Sequence, residues 1–448
     1  VVLPTGTGKT ILSALDVKRI GGRGLFIVHR LDILKQSVEA YRKVWPTIRT
    51  GILTGEAEDN VEKSDVLFAS KDTLRQPEVL ARFRKNTFNY VIVDEVHHGQ
   101  CPSYKEILEY FAPKFMLGMT ATPLRDDNID TYNYFGNPVY TYSLRQGIED
   151  GFLAPYRVHR VITTVDAAGW RPSKDELDRY GREVPDDEYQ TKDFERVVAL
   201  RSRTRAMARH LTDLLKGTDR FAKTLIFCVD QEHAAEMRQE LVNLNSDLVK
   251  QYPDYICRVT TDEGAIGLAH LAHFQDVDKP APVILTTSQL LTTGVDAEMV
   301  KNVVLARVVG SRSEFKQIIG RGTRLKVDYG KEYFNIIDFT GTATRHFADP
   351  DFDGEPARIE EVTVDDSGEQ VTGFSGGRRA SASHQPTSAV LRAPARQQHR
   401  RQELGLRPQL DHQRRFGRAR PQPLRRLDAA TPPDRIRRGD RTLRGQRS

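Results

Sequence analysis

Val1-Val2-Leu3-Pro4-Thr5-Gly6-Thr7-Gly8-Lys9-Thr10 decides the fold class: a short apolar strand, a glycine-bearing loop, then Lys-Thr. The first glycine of the strict G-x-x-x-x-G-K-[ST] pattern is missing, but Gly-x-Gly-Lys-Thr is kept. Gly6 and Gly8 permit a tight turn whose successive N–H groups point at phosphate oxygens. Apolar Ile11, Leu12, Leu15 and Ile20 predict a following helix, whose N-terminus favours an anion. Thr5, Gly6, Thr7, Gly8, Lys9 and Thr10 are therefore the candidate nucleotide-binding residues. Lys9 would reach the β- and γ-phosphates, and the Thr10 hydroxyl would help hold Mg²⁺. The bland alternative is a glycine turn with a chance Lys-Thr, and the rest of the chain argues against it.

Outward from this loop, short apolar runs end in polar motifs. Leu25-Phe26-Ile27-Val28 ends in His29-Arg30, and Tyr90-Val91-Ile92-Val93 in Asp94-Glu95-Val96-His97-His98. Phe115-Met116-Leu117-Gly118-Met119 ends in Thr120-Ala121-Thr122-Pro123. With helical segments between them, such as Leu31 to Val44, these runs predict an α/β domain with a doubly wound parallel sheet. The pattern loosens around 147–155, and the polar stretch 165–195 reads as a connector or insertion. A second series follows: a helix near 194–215, strands at 223–228, 257–259, 283–286, 302–305 and 334–338, and helices at 232–244 and 314–319. The expected organisation is a first domain over 1–150, a linker over 151–200, a second α/β domain over 201–350, and a disordered acidic then Arg-rich tail over 351–448.

A length of 448 residues fits two or three domains. No apolar run approaches the ~20 residues of a membrane span. Three cysteines make no disulfide framework and suit a reducing cytosol, so a cytoplasmic location is expected. The net charge of +6 conceals a division. Residues 376–448 hold 19 Arg, no Lys and 5 acidic residues, a net of +14, which leaves −8 for residues 1–375. Global charge is therefore no argument for nucleic-acid binding. The tail reads either as a basic nucleic-acid arm or as disordered sequence without evolved function, an out-of-frame translation included; nineteen Arg without one Lys favours the second. The chain also begins without Met, inside a motif, which predicts a fragment.

A nucleotide-hydrolysing site needs a phosphate cradle, a metal ligand, a base for water, and positive charge on the γ-phosphate. Asp94, at the tip of an apolar strand, suits Mg²⁺, and Glu95 beside it can orient and deprotonate a water. A solvated loop is the alternative for such a pair, and its position directly after Val91-Ile92-Val93 disfavours it. His97, His98 and Cys101 supply too few ligands for a closed zinc site. The positive charge lies far off, in Gln317-Ile318-Ile319-Gly320-Arg321-Gly322-Thr323-Arg324. On a continuous helix Gln317, Arg321 and Arg324 would share one face and could reach across a cleft to a phosphate. The alternative is an exposed basic helix start, disfavoured because Gly320 and Gly322 interrupt it with no evident packing reason.

In this order P-T-G-T-G-K-T, D-E-V-H-H, T-A-T-P, T-T-G-V-D (292–296) and Q-I-I-G-R-G-T-R resemble the motifs of superfamily 2 DEAD/DEAH-type helicases and translocases, over residues 1 to about 350. D-E-V-H-H and the tracts at 134–140, 147–153, 313–317 and 338–341 are similar to the motor subunit of type I restriction enzymes. The resemblance implies two tandem RecA-like domains, ATP and Mg²⁺ as cofactors, and ATP-driven movement on double-stranded DNA. It implies Lys9, Thr10, Asp94 and Glu95 at phosphate, metal and water, and Gly294 and Asp296 at the inter-domain cleft. Gln317, Arg321 and Arg324 would complete the ATP site, the arginines as fingers, while Thr120 and Thr122 would couple ATP to DNA grip. DNA contacts, mostly to backbone and so not sequence-specific, would fall near 28–30, 70–74 and 286–288. Methylation and specificity subunits are the implied partners. The family's nuclease domain and adenine-holding segment precede the motor and are not in this sequence, so no DNA cleavage and weakened or absent turnover are expected of the chain as written. The alternatives are another DNA repair or RNA helicase, and a non-catalytic nucleotide-binding remnant.

Overall fold

The computed structural model describes residues 1–28, 31–96, 102–121, 135–164, 201–288, 297–347, 349–365 and 367–371. Within them the chain builds two sheets, both in one compact unit. The first has β1 (Gly24–Val28), β2 (Thr50–Leu53), β3 (Glu58–Asp59), β4 (Val66–Ser70), β5 (Tyr90–Val93) and β6 (Phe115–Gly118). Their order is β3-β2-β4-β1-β5-β6, parallel except for the β2–β3 pair. The continuous apolar runs are explained by cover on both faces. Alternate residues go to opposite cores: Leu25, Ile27, Leu67, Val91 and Val93 to one, Phe26, Val28, Phe68, Tyr90 and Ile92 to the other.

Of the expected opening strand, Val2 alone makes bridges, in parallel to Thr120 and Thr141. Its N–H donates to the Tyr140 carbonyl (2.9 Å), and the Leu3 N–H donates to that of Thr120 (2.9 Å). The glycine-bearing loop thus leaves the sheet beside β6.

The second sheet holds β7 (Tyr156–Thr163), β8 (Thr224–Phe227), β9 (Ile256–Arg258), β10 (Ile284–Thr287), β11 (Asn302–Leu305), β12 (Phe334–Asp338) and β13 (Arg358–Val364). Its order is β13-β7-β12-β11-β8-β10-β9, and every pair is parallel. Two sequence-based boundaries need correction. β7 lies in the expected linker 151–200, and β13 lies in the expected tail 351–448. Both strands are half-polar, so neither stood out as an apolar run, yet their charges match in register. His159 lies opposite Glu360 and Arg160 opposite Glu361, the first pair joined by a hydrogen-bond contact of 3.2 Å and the second by an ion pair at 2.9 Å. Such cross-strand pairing turns an apparently solvated acidic stretch into an edge strand. The connector 165–195 and the Arg-rich part of the tail lie outside the described residues.

Candidate nucleotide site between the two sheets

Gly6 (φ 95°) and Gly8 (φ 85°) both take the left-handed conformation that the loop requires. The helix Lys9–Ile20 starts at Gly8 with no side-chain cap and no acidic residue in its first turn. Its N-terminal N–H groups are thus presented as an anion would need them. Lys9 Nζ turns back to the Leu3 carbonyl (3.2 Å). Thr7 turns away from the cleft, its hydroxyl donating to the Pro4 carbonyl (2.8 Å).

Asp94 follows β5 and is buried, 8% exposed. Burial, then the charge of neighbouring Glu95, pushes its pKa up to about 6, with Lys9 pulling the other way. The Glu95 N–H donates to Asp94 Oδ1 (3.0 Å). Glu95 itself has φ 49°, a left-handed backbone that non-glycine residues seldom adopt and that clusters at functional sites.

The second sheet supplies the far wall. The helix expected to run through Arg324 ends at Ile319. Arg321 sits in the turn that follows, its N–H on the Ile318 carbonyl (3.1 Å), and Arg324 bridges Leu153. The two glycines do have a packing reason. A Cβ on Gly320 would stand 2.7 Å from Thr5 Cβ, and one on Gly322 would enter the Phe334 ring. Despite the broken helix, Gln317, Arg321 and Arg324 line the same cleft as Thr5, Gly6, Gly8, Lys9, Thr10, Asp94 and Glu95.

Direct contacts join the two walls. The Thr323 hydroxyl donates to the Thr5 carbonyl (3.1 Å), and Arg324 Nη1 donates to the Gly6 carbonyl (2.8 Å). Leu153 comes within 3.4 Å of where a Gly6 Cβ would be, and the Ala154 N–H donates to the Thr323 carbonyl (2.8 Å). The tract 147–153 is therefore part of the joint. The cleft has a volume of about 580 Å³, within the ~300–1,000 Å³ usual for ligand sites.

This donor set fits a magnesium nucleotide. An uncapped helix start and a lysine could meet phosphates, and a buried carboxylate with a raised pKa could bind a cation. Thr10 and Asp94 would hold Mg²⁺. Sequence reasoning missed the wall formed by Gln36, Glu39 and Lys43 of the helix Leu31–Val44, with Gln275 and Ala297; no motif marks them, and only the polar face of an amphipathic helix hinted at a surface.

Gly294, Asp296, Thr122, His29, Arg30, His97, His98 and Cys101 lie outside the described residues. The expected DNA-contacting stretches are largely buried where described. Ser70 Oγ accepts the Thr73 N–H (3.2 Å), capping a short helix, and the Thr286 hydroxyl donates to the Ala234 carbonyl (2.8 Å). Away from the cleft, Asp254, Cys257 and His270 bring ligand atoms within 4.8 Å of one another. The Cys257 thiol donates to the Asp254 carbonyl (3.4 Å), and burial pushes its pKa to about 12, so this cluster reads as packing of β9 on the helix Gly264–Gln275.

Fold and cleft together define a helicase-type core, with a phosphate loop on one α/β layer and arginines from a second. The family described as "Type III restriction enzyme, res subunit" matches residues 1–125. The EcoAI endonuclease subunit, a type I restriction enzyme subunit of Escherichia coli, is 40% identical over 84% of this chain and 47% of its own length. A Saccharomyces cerevisiae protein described as an ATP-dependent helicase, IRC3, is 25% identical over 77% of this chain and 48% of its own. Among solved structures, a Vibrio vulnificus YJ016 fragment described as the HsdR subunit of a type I restriction enzyme is similar. It has 50% identity and a TM-score of 0.67, over 83% of this chain and 65% of that one. The chain is thus similar to the helicase region of the R subunits of type I restriction enzymes. It spans about half the length of these two curated relatives.

Proposed function

We propose that this region hydrolyses ATP to drive movement along double-stranded DNA, as the motor of a type I restriction complex. The observation that carries the reading is the composite cleft: residues from both sheets line one cavity and touch each other around it. Lys9 and the loop N–H groups would bind the phosphates, and Thr10 and Asp94 the Mg²⁺. Glu95, adjacent to Asp94, would take the proton of the attacking water. Gln317 and Arg321 would meet the γ-phosphate from the second sheet, while Arg324 grips the loop through the Gly6 carbonyl. An arginine that arrives from a separate layer ties hydrolysis to relative movement of the two layers. Gly294 and Asp296 belong to the same proposed site. DNA would be held mainly through its phosphates, without sequence preference, and methylation and specificity subunits would supply the target.

The test is ATP turnover by this chain with linear duplex DNA, single-stranded DNA or RNA, with Lys9→Ala as the blank. Stimulation by duplex, abolished in the variant, supports the reading. Stimulation mainly by RNA or single strands refutes the duplex motor. No turnover with any nucleic acid, in folded protein and also when this region is carried in a full-length R subunit, favours a nucleotide-binding remnant.

A further inference from the structure

The helix Arg312–Ile319 and its closing turn present two sides. Gln317 and Arg321 face the nucleotide cleft. Lys316, one residue earlier, borders a small cavity of about 20 Å³ with Pro4, Phe352 and Asp353, and Thr5 and Gly320 line both this cavity and the cleft. There Lys316 Nζ lies 2.9 Å from Asp353 Oδ1 and 4.1 Å from the centre of the Phe352 ring. Both charges are inside the protein, the side chains 7% and 1% exposed.

The segment that brings Asp353 here is itself anchored. Asp349 caps it, Oδ1 accepting the Phe352 N–H (3.2 Å) and the carbonyl accepting the Asp353 N–H (2.7 Å). The Tyr156 hydroxyl donates to the Gly354 carbonyl (3.1 Å). One end of the contact is therefore fixed to the second sheet, while its cavity reaches the phosphate loop.

A buried ion pair adds little net stability over apolar residues of the same size, because desolvation offsets the attraction. What it does impose is geometry: the ammonium must meet the carboxylate, which constrains the rotation of its helix. We propose that Lys316 and Asp353, covered by Phe352, are positioning residues for ATP hydrolysis, holding the helix so that Gln317, Arg321 and Arg324 meet the phosphate loop. Neither residue lines the nucleotide cleft. The inference rests on reading that cleft as the ATP site.

Burial drives Lys316 down and Asp353 up, each toward its neutral form, so removing one alone strands the other. The informative variant therefore replaces both, Lys316→Met with Asp353→Leu, in the full chain. Three readouts are taken: melting temperature, kcat and KM for ATP with duplex DNA, and hydrogen exchange of residues 312–324 with a non-hydrolysable ATP analogue. The expected result is melting within a few degrees of wild type and KM within about threefold. Turnover falls at least tenfold, and the analogue no longer protects 312–324. Unchanged turnover and protection would overturn the inference. Should the double variant not fold, Asp353→Glu keeps the charge pair but lengthens it by one carbon. Lowered kcat at unchanged melting supports the proposal, and wild-type kcat overturns it. Absence of turnover in the wild type, also when this region is carried in a full-length R subunit, would instead refute the motor reading, and the positioning role with it.

Discussion

Gly320→Ala adds one methyl group where the two walls of the cleft come closest. Gly320 has φ −56°, an ordinary helical value, so alanine suffers no backbone penalty. The penalty is contact: the new Cβ would stand 2.7 Å from Thr5 Cβ and 3.0 Å from the Lys316 carbonyl oxygen. Carbon atoms rest at about 3.5–4.0 Å, so the turn must retreat from the phosphate loop by about 1 Å. Overpacking of this size costs about 1–3 kcal/mol of stability, which a chain of this length tolerates. Catalysis is more sensitive, since a 1 Å misplacement can cost about 10²-fold, or about 2.7 kcal/mol of barrier. We expect duplex-stimulated kcat to fall about a hundredfold while ATP affinity and melting change little. Adding Thr5→Gly removes the obstructing side chain and should restore turnover relative to Thr5→Gly alone. Wild-type kcat in Gly320→Ala would refute the reasoning, because the walls could not then be this close during hydrolysis.

Two further outcomes follow from the acidic pair. Asp94 has its folded pKa raised to about 6 from an ordinary 3.8, so ionising it costs stability: the favourable protonated state exists at low pH and is lost as pH rises through 4–6. Without nucleotide or metal, Asp94→Asn should therefore melt above wild type at pH 7, by an amount on the order of 3 kcal/mol at most, with the gap closing below pH 5. Equal melting at both pH values would contradict this. Glu95→Gln should keep nucleotide affinity while kcat drops by about 10²–10⁴, and kcat near wild type would remove Glu95 from the role of base.

Much of this was legible because the decisive residues sit at the ends of fully buried strands. Val91-Ile92-Val93 has no polar position to satisfy a solvent face, so Asp94 and Glu95 stand out directly after it. Spacing singles out Gln317, Arg321 and Arg324, although the helix that justifies the spacing stops at Ile319; the helix carries Gln317, and the chain after it brings Arg321 and Arg324 to the same cleft. Contacts between residues distant in sequence stayed hidden. Nothing local says that Gly320 is small because of Thr5, or that Lys316 is paired with Asp353. The β7–β13 ladder escaped for the same reason, since Arg358–Val364 looks solvated until it is set beside the basic residues of β7. Asp338-Phe339-Thr340-Gly341, one of the family tracts, serves structure: the Asp338 carboxylate accepts the N–H groups of Thr340 (2.9 Å) and Ala343 (2.7 Å).

If one catalytic site is assembled from two layers, hydrolysis depends on Arg321, and Arg321→Ala probes that dependence. Single-turnover hydrolysis and ATP affinity should be compared for wild type, Lys9→Ala and Arg321→Ala, each with saturating duplex DNA. Lys9→Ala should lose binding. Arg321→Ala should bind ATP within a few-fold of wild type but hydrolyse it about 10³-fold more slowly, as expected of an arginine acting on the transition state. Hydrolysis at the wild-type rate in Arg321→Ala would contradict the account, leaving the second layer no part in the chemistry.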